Sequence, residues 1–386
     1  MIFRSMLLFL LLICMNRSIA FDTTIVTQLL HRIVQLQVKE NGVFPKGLFP
    51  SYRTYVLNQD RQKADINPFF TGLIVFTLDR IKDQLTPYQQ KLVEQISSNA
   101  KPVFTKFKNR KGRDTYNFWP TDTAQIFPNS GWMNLFNKSQ SLPDDMDDTV
   151  ITLMALNANE KTANNIHLLM QEYINGGKDK INNTLPSLSH LPAYSVWFGE
   201  KMPVDFDISV LSNVLYFVQE YGLPFTKADS SSIQVIVNIL EEKKHLTAPS
   251  FISPHYGRTE IVLYHLSRLM ALKPIPALEK FRPILIQQAQ ALQEKKQPFL
   301  LQVLLSSSLL NWGVKPSLIT MKKQSLTQII EDEQFSFFIA NMASMLPNQL
   351  KKSFTASKLG TFKYYCPAYN NVLLLENIIL HQKLVN

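Results

Sequence analysis

The stretch "LPDDMDDTVITLMAL", residues 142–156, sets Asp144, Asp145, Asp147 and Asp148 within five positions and then turns apolar. One or two carboxylates are ordinary at a helix start, where a side chain caps the free amides and the dipole favours negative charge. The others crowd against them. Like charges so close raise at least one pKa, and a carboxyl that keeps its proton beside an ionised neighbour is general-acid machinery. The plainer reading is a solvated acidic cap paired with lysines. A second acidic onset follows at Asp205-Phe206-Asp207-Ile208-Ser209-Val210, again after a proline and again opening a long apolar run. Asp205 and Asp207 are expected on the same rim as the first box, so that six carboxylates face one opening.

Aromatic residues flank both boxes. Tyr116, Phe118, Trp119 and Trp132 precede the first; Tyr194, Trp197 and Phe198 precede the second. Ring faces beside acids suit a carbocation or another cation, or a sugar ring stacked on tryptophan. In "SPHYGRTE" (253–260), His255, Tyr256 and Arg258 could hold an anionic group or position a carboxylate, although the same segment reads equally as a surface turn. Chemistry of other kinds finds little support. Cys14 and Cys366 are the only cysteines, which excludes a cysteine-rich zinc site and a Cys-x-x-Cys redox pair. No serine–histidine–aspartate order and no phosphate-cradling glycine loop stands out. No cofactor or metal is expected.

These residues need elements to hold them. Helical periodicity runs through nearly the whole chain. Amphipathic segments fall at 23–37, 86–100, 160–175, 230–244, 276–294 and 317–331. Between them lie six apolar segments that open on a similar pattern, a proline followed by a polar or aromatic residue: 66–78, the two acidic onsets, 253–270, 297–310 and 366–380. Helices apolar all round belong inside and amphipathic ones outside. Closing six such hairpins predicts an all-α protein, an α/α-toroid, as one domain over 21–386. An open solenoid is the rival architecture, but the last segment does not read as a polar cap. Residues 101–143 interrupt the pattern with an insertion rich in aromatics and asparagine.

Composition agrees with a large buried core: 45% of the 386 residues are hydrophobic and only 12 are glycine. At the N-terminus Arg4, the apolar run "MLLFLLLIC" and the small-x-small "SIA" predict a signal peptide over 1–20, and hence a periplasmic or secreted protein. An uncleaved anchor is the alternative. The net charge of +10 is scattered, which argues against a nucleic-acid partner. The basic patch "KFKNRKGR" (106–113) could touch an anionic membrane surface, but it reads better as a solvated loop. The oligomeric state is not written in the sequence.

"DMDDTV", Asp145 to Val150, resembles the Asp-x-Asp-Asp-Thr-Ala box of class II terpene cyclases, including squalene–hopene cyclases. Residues 60–380 are more diffusely similar to bacterial proteins grouped with prenyltransferase/squalene-oxidase repeats. The resemblance implies an α/α-toroid with the box at an inner-helix start. It also implies Asp147 as the acid that protonates an alkene or epoxide, with Asp145 and Asp148 in support. The chain departs from squalene-type cyclases in having room for one helical domain, four tryptophans and no repeated Gln-Gly-Trp motif. "DDMDD" also matches the Asp-Asp-x-x-Asp magnesium box of class I prenyl synthases, but the second box lacks the spaced acid those enzymes need. Three functions stay open: an acid-catalysed cyclase acting on an isoprenoid or other polyene, a carbohydrate-active toroid using Asp147 with Asp205 on an oligosaccharide, and a non-catalytic binding module.

Overall fold

The computed structural model describes residues 23–123, 125–126, 142–199, 202–319, 325–341, 343–357 and 359–385. The expected signal peptide and Trp132 lie outside them. The chain begins with α1 (Thr23–Leu36), a hairpin of β1 (Ser51–Tyr55) and β2 (Asn58–Asp65), α2 (Phe69–Ile81), α3 (Pro87–Ala100), α4 (Met146–Ala155), α5 (Glu160–Met170), α6 (Ile208–Glu220) and α7 (Lys227–Glu241). Two short turns of helix follow, α8 (Lys244–Thr247) and α9 (Pro249–Ile252), then α10 (Thr259–Leu272), α11 (Pro276–Glu279), α12 (Arg282–Gln293) and α13 (Phe299–Asn311). The last part holds α14 (Leu326–Ile330), β3 (Phe338–Ala340), α15 (Asn348–Ser357), β4 (Phe362–Tyr365) and α16 (Pro367–Val385).

The apolar segments are the buried helices. In α4 every residue from Met146 to Ala155 is buried, and α6 is buried from Ile208 to Gln219. These helices pack in a circuit: α2 on α4, α4 on α6, α6 on α10, α10 on α13, α13 on α16, and α16 back on α2. Gly72 permits the first of these contacts, because a Cβ there would meet Ile151 Cγ2 at 2.9 Å. The amphipathic helices pack outside: α1 on α16, α3 on α2, α7 on α6, α12 on α13. Local signals start them. Thr86 and Thr226 form capping boxes with Gln89 and Asp229, and Pro87 occupies the first turn of α3. Within the circuit, the buried Arg268 guanidinium of α10 lies over the rings of Phe76, Tyr216 and Tyr264 at 5.0, 5.6 and 5.3 Å.

The molecule is helix-rich but not all-α. A four-stranded antiparallel sheet, ordered β2-β1-β4-β3, ties the early chain to the late chain. β1 pairs with β2 at Ser51↔Asp65 and with β4 at Tyr52↔Tyr365, while β3 pairs with β4 at Phe338↔Tyr364. "SYRTY" has aromatic and β-branched residues that suit a strand, but its second partner lies far along the chain, so no local pattern announces the sheet. The helix expected over 276–294 breaks in two, since Pro283 in the first turn of α12 has no amide with which to continue α11. Among the described residues no helix is long and apolar enough to cross a membrane.

Candidate active site

Asp145 is the N-cap of α4. Its backbone is extended, and its Oδ1 accepts the Asp148 amide at 2.7 Å. The residue is held from both sides: Asp145 N donates to Tyr116 O at 3.2 Å, and Met146 N donates to Val196 O at 2.8 Å. The insertion and the segment before the second box therefore clamp the start of α4. With the cap fixed, Asp147 and Asp148 fall in the first helical turn, and all three carboxyls are buried.

Burial dominates their electrostatics. It pushes Asp145 up to about 7, against the bonds from Asp148 that favour its charge. It pushes Asp148 well above the carboxylate range, and the charge of Asp145 adds to the effect. The two side chains are hydrogen-bonded to each other, which places a proton between the carboxyls; among the described residues no donor reaches Asp148 Oδ1. Asp147 differs. Its Oδ1 accepts Asn213 Nδ2 at 2.8 Å and its Oδ2 accepts the Tyr256 hydroxyl at 2.5 Å. Burial still raises Asp147 to about 6, while these two donors pull it down. Hydrogen bonds to the charged form make a stronger acid, so Asp147 is poised near neutrality while Asp148 keeps its proton.

The second box does other work. Asp207 is the N-cap of α6 and accepts Ser209 N at 2.8 Å. It also accepts Ser253 Oγ at 2.6 Å and His255 N at 2.9 Å. One carboxylate thus shapes the turn that sets Tyr256 on Asp147. Gly257 allows the same turn its left-handed φ of +64° and its approach to β3, where a Cβ would meet Ile339 Cδ1 at 2.7 Å. Asp205 pairs instead with Lys351 Nζ of α15 at 2.8 Å, both side chains being almost wholly buried. Asp144 accepts Asn109 Nδ2 and Thr115 Oγ1. The expectation of six carboxylates around one opening is therefore corrected to three. Asp144, Asp205 and Asp207 are spent on structure, and Asp205 does not form a carboxylate pair with Asp147.

Asp145, Asp147 and Asp148 line one cavity of about 230 Å³. Its remaining walls are largely apolar: Phe69, Phe118, Trp119, Leu142, Val196, Trp197, Met202, Val210 and Phe338, with His255 and Tyr364 among them. His255 lies parallel to Phe338 at 6.1 Å and edge-on to Trp197 at 5.8 Å. Burial lowers its pKa, which keeps the ring neutral. Trp119 is fixed by its indole N–H, which donates to Asp65 Oδ1 at 3.2 Å. Among the described residues no group of three or more His, Cys, Asp or Glu could hold a metal ion.

Of the residues singled out in the sequence, Phe118, Trp119, Trp197 and His255 belong to this cavity with the three acids. Tyr256 is buried behind it and touches Asp147. Tyr116 is not a cavity wall; it clamps Asp145 through its backbone. Arg258 is exposed at the start of α10 and takes no part. Sequence reasoning missed Asn213, a lone amide inside the apolar run "LSNVLYFV", whose polarity was the available signal. It also missed Phe338 and Tyr364, which the sheet delivers and no motif marks. Compared with models of protein families, with curated proteins and with solved structures, the chain matches none.

Proposed function

We propose that this chain is an exported α/α-toroid enzyme that protonates an alkene of an isoprenoid or similar apolar substrate, in the manner of class II terpene cyclases. The observation that carries the reading is the placement of three buried carboxyls on the wall of one apolar cavity. The circuit of six helices supports the toroid. Asp147 delivers the proton to an alkene carbon, because burial raises it to about 6, within reach of neutral pH, and two donors wait to hold the carboxylate it becomes. The carboxylate left behind is stabilised by the Tyr256 hydroxyl and the Asn213 amide. Asp145 and Asp148 hold a second proton beside it. The carbocation formed is stabilised by the ring faces of Phe118, Trp119, Trp197 and Phe338. Loss of a proton or capture of water ends the reaction.

The carbohydrate reading finds less support, since its second carboxylate is neutralised by Lys351 and the cavity offers few polar partners for a sugar. The test is incubation with small isoprenoid alkenes in deuterated water, followed by mass spectrometry. Carbon-bound deuterium in the product is expected with the native chain and is lost in Asp147→Asn. No deuterium uptake from any alkene, or uptake unchanged in the variant, rejects the proposal.

A further inference from the structure

Four side chains lining the acid cavity carry buried polar atoms with no hydrogen-bond partner among the described residues: the indole Nε1 of Trp197, the hydroxyl of Tyr364, the Nε2 of His255 and the Oδ1 of Asp148. The Trp119 indole and the Tyr256 hydroxyl of the same region are both bonded, to Asp65 and Asp147. A buried donor without an acceptor is unfavourable, and native proteins keep few of them without a reason. Trp197 is the most telling, since an indole can only donate. Among the described residues, the Trp197 indole and the Tyr364 hydroxyl on this cavity await an acceptor.

The charge of that acceptor follows from the walls. Among the described residues lining the cavity there is no lysine or arginine, and there are three carboxyls. Lys351 is committed to Asp205. A carboxylate or phosphate head would enter a space with acids and no counter-charge. The size also constrains the guest, because 230 Å³ lies below the ~300 Å³ at which sites for drug-sized ligands begin. We infer that the cavity takes a small neutral molecule with an apolar branched body and one oxygen function, a ketone, alcohol or ether, whose oxygen accepts from Trp197 and Tyr364. The inference rests on the reading of this cavity as the substrate site and names the substrate class.

Binding tests it without turnover. Tryptophan fluorescence of the full chain is titrated at neutral pH with three probes: sulcatone, a small branched alkene ketone; the hydrocarbon lacking its oxygen; and the carboxylate of the same length. The ketone is expected to bind at least tenfold more tightly than either. Trp197→Phe and, separately, Tyr364→Phe are expected to bring the ratio of ketone to hydrocarbon affinity down to about one. The second variant removes one hydroxyl and keeps the ring, so it remains informative if the first does not fold. Equal or tighter binding of the hydrocarbon or the carboxylate, no binding of the ketone, or an advantage surviving in Tyr364→Phe overturns the inference. Ketone preference without deuterium uptake would reject the catalytic reading alone; deuterium uptake without ketone preference would reject this one alone.

Discussion

At the scale of single residues the site is a problem in proton affinity. An acid of about 6 is half protonated near that pH and tenfold less protonated for each further unit. The Asp147-dependent rate should therefore fall with unit slope above about pH 6, read from a profile of kcat/KM, and Asp147→Asn should lose ~10²–10⁴ in rate with circular dichroism unchanged. Stability carries a second signature. Asp145 and Asp148 bind protons more tightly folded than unfolded, so their contribution is complete at low pH and disappears as pH rises through about 7 and beyond. His255 and His265 have lowered affinities and act in the opposite direction below about 6.5, but above it they are neutral in both states. The melting temperature should thus decline as the pH rises above about 6.5, and Asp148→Asn should flatten that decline, as a thermal melt at each pH would report. The crowding of Asp145, Asp147 and Asp148 was legible because all three sit on one local turn. The diversion of Asp205 was not, since its cation stands on α15, far along the chain.

At the scale of elements, each acidic helix start is held by chain from elsewhere. The Asp205–Lys351 pair fastens α15 to the segment leading into α6, and a buried ion pair is costly to break from one side. Lys351→Met should destabilise the protein by ~3–5 kcal/mol by leaving Asp205 charged and buried. Adding Asp205→Leu should restore most of the loss, because two apolar groups then replace the ion pair; urea melts of the single and double variants decide this. The six apolar helices were readable from sequence for a simple reason. A helix enclosed on all sides has to be apolar on all sides, and "FFTGLIVFTL" or "VLLLENIIL" writes that in one turn after another. The strands escaped because β1 and β4 are short and half-polar, and their pairing joins segments far apart in the chain.

At the scale of the whole molecule, the circuit of helices makes early and late chain mutually dependent. The final helix α16 packs on α1, α2 and α13 and buries Tyr369, Leu373 and Leu375. Deleting residues 367–385 should abolish cooperative unfolding altogether and cost more ellipticity than one helix accounts for, which far-ultraviolet spectra across a thermal ramp would reveal. The sheet closes the same seam from outside, with β1 from the first part of the chain against β4 from the last. Phe338, Ala340 and Tyr364 of β3 and β4 form part of the cavity wall, whereas the three acids ride on the first turn of α4. Shape and reactivity are thus carried by separate pieces of scaffold. Random libraries confined to Phe338, Ala340 and Tyr364 offer a route to reshaping the cavity that leaves the first turn of α4 untouched.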